Sequence, residues 1–159
     1  MSNVPLNIPE DKLKEYARLL QRQNQFSSSD LARKDFMHYC KSVWPEFIEG
    51  KHHKIMAQKF NALATGKIKR LIVNMPPRHT KSEYASYLLP SWLMGKNPRL
   101  KIMQTTHTAE LAFRFGRKVR NLMNSGEFTK VFPGVELRAD SQAAGRWETS
   151  KGGEYLRRV

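Results

Sequence analysis

Apolar residues recur at helical spacing through the first 65 positions, and then the period changes. Within 10–25, Leu13, Tyr16, Ala17 and Leu20 fall on one side of a charged segment, which predicts a surface amphipathic helix behind a lead containing Pro5 and Pro9. Ser27, Ser28, Ser29 and Asp30 carry the oxygen acceptors that cap helix N-termini, so a second helix is predicted over 30–43, ending near Trp44 and Pro45. A third, over 51–65, places Ile55, Met56, Phe60 and Leu63 on one face and stops at Gly66.

The run from Arg70 to Met75 is short and nearly continuously apolar, the pattern of a strand buried on both faces of a parallel sheet. Pro76 to Thr80 then turns the chain into Lys81-Ser82-Glu83-Tyr84, which opens a helix expected to bend or end at Pro90. Leu100–Thr106 reads as a second strand, and Thr108 caps a helix running to about Asn124. On that helix Leu111, Phe115, Val119 and Leu122 share one side, and Arg114, Arg117 and Arg120 the other. Segments 135–137, 145–149 and 154–159 are weaker strand candidates. Strand, loop, helix, strand, helix in this order predicts an α/β fold with a mainly parallel sheet flanked by helices, preceded by N-terminal helices.

At 159 residues, 40% hydrophobic and 26% charged, the chain has the composition of one folded domain. Lys and Arg number 28 against 14 Asp and Glu, a net charge of +14, which points to a polyanionic partner, nucleic acid first. A basic excess that serves only solubility is the alternative. Cys40 is the single cysteine, so an intrachain disulfide is excluded, and its apolar neighbours Phe36, Met37, Tyr39 and Val43 place it in the core. No stretch approaches the roughly 18–20 apolar residues of a membrane span, and MSNVPLNIPEDKLKEY is too polar for a signal peptide. The expected location is the cytoplasm of the host cell.

The chemistry concentrates in Leu71–Ser82, LIVNMPPRHTKS, where a predicted buried strand, a tight turn and a Lys-Ser helix start follow one another. A bound triphosphate needs converging backbone N–H groups, a helix N-terminus, a lysine for its terminal phosphates and a hydroxyl for Mg²⁺. Lys81 and Ser82 match the last two. The common pattern GxxxxGK[ST] would place glycine where this chain has Met75 and Thr80. Pro76 and Pro77 donate no N–H, so a cradle has to come from the amides of Arg78, His79, Thr80, Lys81 and Ser82. The same residues also describe a Pro-Pro turn that merely begins a helix.

The string MPPRHTKSEYASYLLPSWLMGKNPRLKIMQTTHTAELA resembles the Walker A region and the following strand and helix of tailed-phage terminase large subunits, in the branch whose usual form is PPRHGKS. The preceding WPEFIEGKHHKIMAQKFNALATGKIKRLIVN and the later VFPGVELRADSQAAGRWETSKGGEYLRRV are similar to that family in order and spacing, so the resemblance covers about 30–159. It implies the N-terminal part of a P-loop ATPase domain over 30–159, with an N-terminal amphipathic helix and linker over 1–29. It further implies ATP and Mg²⁺ as ligands, phage double-stranded DNA, portal protein and the small terminase subunit as partners, and a homo-oligomeric ring. Carried over residue by residue, Lys81 holds the β- and γ-phosphates, Ser82 ligates Mg²⁺ through its hydroxyl, and Arg78 senses the γ-phosphate. Thr80 stands where the family has glycine.

Trp44, Phe47, His52 and His53 lie where such ATPases build an adenine pocket, with core packing the competing reading for the aromatics. Zinc binding by His52 and His53 is disfavoured because adjacent helical residues point about 100° apart. Arg114, Arg117, Lys118 and Arg120 form a basic face suited to DNA phosphates or a neighbouring subunit, or simply to solvent.

Hydrolysis needs an acidic residue at the end of another buried strand, and no run of four apolar residues followed by Asp-Glu or Asp-Asp occurs. Glu136 and Asp140 are near Val135 and Leu137, but Pro133, Gly134 and Arg138 spoil a buried strand there. In the family that acidic strand, the coupling motif and a nuclease domain come after the segment matched here. The expectation is therefore an incomplete P-loop fold that binds ATP without turning it over, joined in function by the remaining part of the large terminase. The rival from another class is a non-catalytic basic DNA-binding or adaptor protein with a degenerate P-loop; a small P-loop kinase would need an acceptor site and lid arginines that are not identifiable.

Overall fold

The computed structural model describes residues 9–143 and 145–159 of the chain, so the lead with Pro5 lies outside the described residues. Three helices come first: α1 (Glu10–Lys34), α2 (Phe36–Val43) and α3 (Lys51–Ala64). A helical segment beginning at Lys81 passes through π-helical turns (Glu83–Leu88) into α4 (Leu89–Lys96), followed by β1 (Lys101–Thr105), α5 (Ala109–Met123) and α6 (Gly126–Val131). Strands β2 (Leu137–Ala143), β3 (Arg146–Thr149) and β4 (Glu154–Arg158) complete a mixed α/β arrangement. Among the described residues no helix is long and apolar enough to cross a membrane.

The break between the first two helices is not where the serine-rich stretch predicts it. α1 continues unbroken through 27–30 and stops at Asp35, whose extended backbone (φ −123°, ψ 128°) starts α2. Asp35 caps α2 by accepting from the His38 amide at 3.0 Å. Asn61 of α3 fixes the corner, donating to Asp35 Oδ2 at 2.6 Å and accepting from the Phe36 amide at 2.9 Å. A cap backed by a tertiary partner thus outcompetes four serine and aspartate oxygens that helix formers flank on both sides.

The core sits where α2, α3, α4, α5 and α6 meet. Phe36 packs against Phe60, Tyr84 and Trp92 at centroid distances of 5.2, 4.9 and 5.3 Å. Polar atoms buried among these helices find partners in two cases: Trp92 Nε1 donates to the Ala32 carbonyl at 2.9 Å, and the Tyr39 and Ser91 hydroxyls meet at 2.7 Å. Cys40 is buried, and burial pushes its thiol well above the ordinary thiol range, so it packs rather than reacts. Gly95 lets α4 close on Phe132, since a Cβ there would lie 2.4 Å from the ring.

The sheet has the order β1-β4-β3-β2 and is mixed rather than mainly parallel. Only β1 and β4 run parallel; β4–β3 and β3–β2 are antiparallel. Gly153 allows the close approach of the 98–100 backbone that leads into β1, because a Cβ would stand 2.3 Å from the Pro98 carbonyl oxygen. Trp147 of β3 and Tyr155 of β4 stack with centroids 4.8 Å apart, anchoring the sheet to the helices.

The buried strand predicted over Arg70–Met75 does not join this sheet. Residues 71–76 pair with no strand among the described residues, and their side chains alternate: Leu71, Val73 and Met75 pack on the core while Ile72 is 85% exposed. An apolar run records only that a segment favours burial; two-sided burial requires layers on both sides, and here one side is bare. Pro90 does not end its helix either. The amide of Leu89 reaches back to the Tyr84 carbonyl, a five-residue step, just before Pro90 removes a donor, so widened turns absorb the interruption.

Candidate phosphate-binding site

The turn from Pro76 to Ser82 joins the half-covered 71–75 segment to the helix at Lys81. Two of its residues have left-handed backbones, Arg78 (φ 64°) and Thr80 (φ 55°), and these are the only non-glycine residues of that kind among the described residues. For a β-branched side chain this is a true outlier, costing roughly 1–2 kcal/mol relative to glycine. Left-handed Arg78 and Thr80 bracket His79 just ahead of the right-handed helix start, and alternation of left- and right-handed residues is the backbone pattern that forms anion nests. The amides of Arg78, His79 and Thr80 donate to no backbone carbonyl among the described residues. Those of Lys81 and Ser82 begin the helix and have no intrahelical acceptor.

The side chains divide into two groups. Arg78, Lys81 and Ser82 make no side-chain hydrogen bond or ion pair among the described residues, leaving a guanidinium, an ammonium and a hydroxyl available beside the free amides. His79 and Thr80 are engaged internally: His79 Nδ1 lies 2.9 Å from the Pro77 carbonyl, and the Thr80 hydroxyl donates to the His79 carbonyl at 2.7 Å. A guanidinium, an ammonium and a hydroxyl beside unpaired amides are a donor set chemically suited to an anion such as phosphate; Lys81 would meet its charge, and the Ser82 hydroxyl could ligate an accompanying cation.

Behind the turn stands α3. The His52 and His53 rings do not diverge as adjacent helical residues are expected to; their centroids are 3.9 Å apart and their Nε2 atoms 3.1 Å apart. His52 sits at the N-terminal end of α3, where its ring folds back along the helix start instead of outward. Among the described residues no group of three His, Cys, Asp or Glu side chains is placed to hold a metal ion. His53 is buried, its Nε2 bonds Thr80 Oγ1, and its Nδ1 accepts from the Gly50 amide at 3.0 Å. Burial holds its pKa below the ordinary histidine value, reinforced by His52 and opposed by Glu49.

Trp44 and Phe47 form an aromatic series packed on the core, and Trp44 also lines a surface cavity with Glu83, Tyr87 and Lys118. Phe47 stacks on Tyr84 at 5.7 Å and 10°, and touches both Trp44 and His53 at 5.6 and 4.8 Å. Tyr84, two residues after Ser82, is fully buried, so the helix bearing the free lysine is rooted in the core.

The basic face of α5 is not uniform. Arg114 and Arg117 are exposed, and Arg120 reaches Asn121 at 3.3 Å. Lys118 instead turns to Glu83, at 2.7 and 2.8 Å from its two carboxylate oxygens, and lies over the Tyr87 ring. Asp140 is exposed and bound by Arg138, which also bridges to Glu148 across β2 and β3. Glu136 is exposed as well. Sequence reading missed the Glu83–Lys118 tie and the His53–Thr80 bond, which span 35 and 27 residues. Only the Gly50–His53 spacing at a helix start carries a local signal for either. No protein family, curated protein or solved structure matches this chain.

Proposed function

We propose that the chain is the nucleotide-binding part of a viral DNA-packaging motor of the terminase large-subunit type, taking ATP with Mg²⁺ in an incomplete P-loop NTPase fold. The observation that carries this reading is the pair of left-handed residues, Arg78 and Thr80, directly before Lys81-Ser82. Backbone strain at non-glycine residues persists where a fold over-determines it, and such strain clusters at ligand sites. In this reading the amides of 78–82 cradle the phosphates, Lys81 neutralises them, Ser82 ligates Mg²⁺ and Arg78 meets the outermost phosphate. The sequence has no apolar run ended by two acids, so the chain is proposed to bind ATP without turning it over. Phage DNA, portal protein, the small terminase subunit and the remaining part of the large terminase are the proposed partners, in a ring.

Titration with a fluorescent ATP analogue in the presence and absence of Mg²⁺ tests the reading. Binding that Mg²⁺ strengthens and that Lys81→Ala weakens at least about tenfold is expected, a difference of about 1.4 kcal/mol. Absence of both binding and ATP-dependent thermal stabilisation at millimolar nucleotide overturns it. The net charge of +14 and exposed Arg114 and Arg117 favour, as the second reading, a DNA-binding or adaptor protein without nucleotide chemistry. Tight DNA binding with no response to ATP selects it.

A further inference from the structure

Thr80 occupies a conformation that glycine takes freely and threonine resists, and one side chain reaches it from another element. The direction of each hydrogen bond around that side chain can be assigned. A backbone amide always donates, so the Gly50 N–H, 3.0 Å from His53 Nδ1, makes Nδ1 an acceptor. A neutral His53 then carries its proton on Nε2, the atom bonded to Thr80 Oγ1; His52 Nε2, 3.1 Å from the same atom, is the more distant of its two polar neighbours. The Thr80 hydroxyl, accepting a hydrogen bond from that N–H, is free to donate its own hydrogen bond to the His79 carbonyl at 2.7 Å. The three bonds form one directed chain, from the Gly50 amide through the His53 ring and the Thr80 hydroxyl to the backbone of the turn.

We infer that His53 is a positioning residue: its Nε2–H grips Thr80 Oγ1 and holds Thr80 left-handed, so that the neighbouring amides face one concavity although no glycine is present. Its consequence for ligands rests on the phosphate-binding reading; its consequence for the turn does not. Thr80 is thus more than a glycine replaced, because its hydroxyl supplies the handle that glycine lacks. Tyr84 steadies the imidazole from the other side, its ring centroid 5.1 Å away and its hydroxyl 3.4 Å from the His53 carbonyl.

The test is a four-protein cycle in the full chain: wild type, His53→Ala, Thr80→Gly and the double variant, each measured by fluorescent-ATP titration and by thermal unfolding. If His53 holds Thr80, His53→Ala weakens ATP binding about tenfold or more in the wild-type background and less than about threefold when residue 80 is glycine. The drop in Tm shrinks in the same way. Equal losses in both backgrounds, or no loss from His53→Ala, overturn the inference and leave His53 as packing. Should none of the four bind ATP, the phosphate-binding reading fails, and the Tm cycle by itself decides the role of His53. Nitrogen-15 spectra of wild-type histidines give a readout that survives a variant failing to fold: a neutral His53 protonated on Nε2 supports the chain of bonds, and protonation on Nδ1 overturns it.

Discussion

Lys118 of α5 engages both carboxylate oxygens of Glu83, with Nζ 2.7 Å from one and 2.8 Å from the other. The side chain that the sequence groups with three arginines, on a face suited to DNA, a neighbouring subunit or solvent, is thereby tied to the first turn of the helix that carries Lys81 and Ser82. Both groups are about one-third exposed, 36% and 29%, which keeps the pair in the range of about 0–1 kcal/mol. Lys118→Met, which retains an aliphatic stem against Tyr87, is expected to lower Tm by no more than about 2–4 °C and to leave DNA affinity nearly unchanged. A large loss of DNA binding in a gel-shift assay would return Lys118 to the interface.

Arg114 and Arg117 behave differently, because both are exposed on the same face of α5. If they contact DNA phosphates, replacing both with alanine flattens the dependence of log affinity on log salt by about two, near 0.9 per contact. An unchanged slope places DNA elsewhere on the chain.

Asp35 joins α2 and α3 through its carboxylate and closes α1 through its backbone amide. Asp35→Ala removes the cap of α2 and strands the Asn61 amide, for an expected loss of about 1–3 kcal/mol in urea unfolding. Asp35→Asn keeps an acceptor for the His38 amide and should lose less. Equal losses would mean that charge, not capping, holds the corner.

The pKa of His53 is depressed by burial, then by His52, against the pull of Glu49. Below the unfolded value of about 6.5 the unfolded chain binds a proton that the folded chain resists, so stability from this residue is complete above that pH and falls as pH drops toward the folded pKa. The difference between wild type and His53→Gln isolates the residue. That difference should narrow as pH is lowered from about 7 to 5; a difference independent of pH counts against a buried neutral His53.

The helices were largely legible in the sequence, because helical order is local. Thr108 caps α5 by accepting from the Leu111 amide, and Phe115, Val119 and Leu122 face inward as their spacing requires. α3 ends at Thr65, and Gly66 takes φ 73°, as glycine at a helix terminus predicts. Ile55, placed on its inner face, is instead 60% exposed, because the elements packed on α3 cover the stripe of His53, Met56, Ala57, Phe60 and Leu63. The candidate site was legible as a string of residue types around Lys81. Its left-handed backbone at Arg78 and Thr80 was not, since the sequence argues against positive φ at both.

By itself, then, the sequence determined that most of these helices form and where α3 and α5 begin and end, which segments are apolar enough to seek cover, and which turn carries charged and hydroxyl side chains. These follow from interactions within a few residues. Tertiary structure alone decided that 71–75 remains outside the sheet, that the sheet is mixed, that Asn61 sets the α1–α2 corner, and that Lys118 and His53 each reach back to the turn and its helix. Each of those depends on groups 25 or more residues apart, or on whether a neighbouring layer exists, and no local pattern encodes the meeting of two distant side chains.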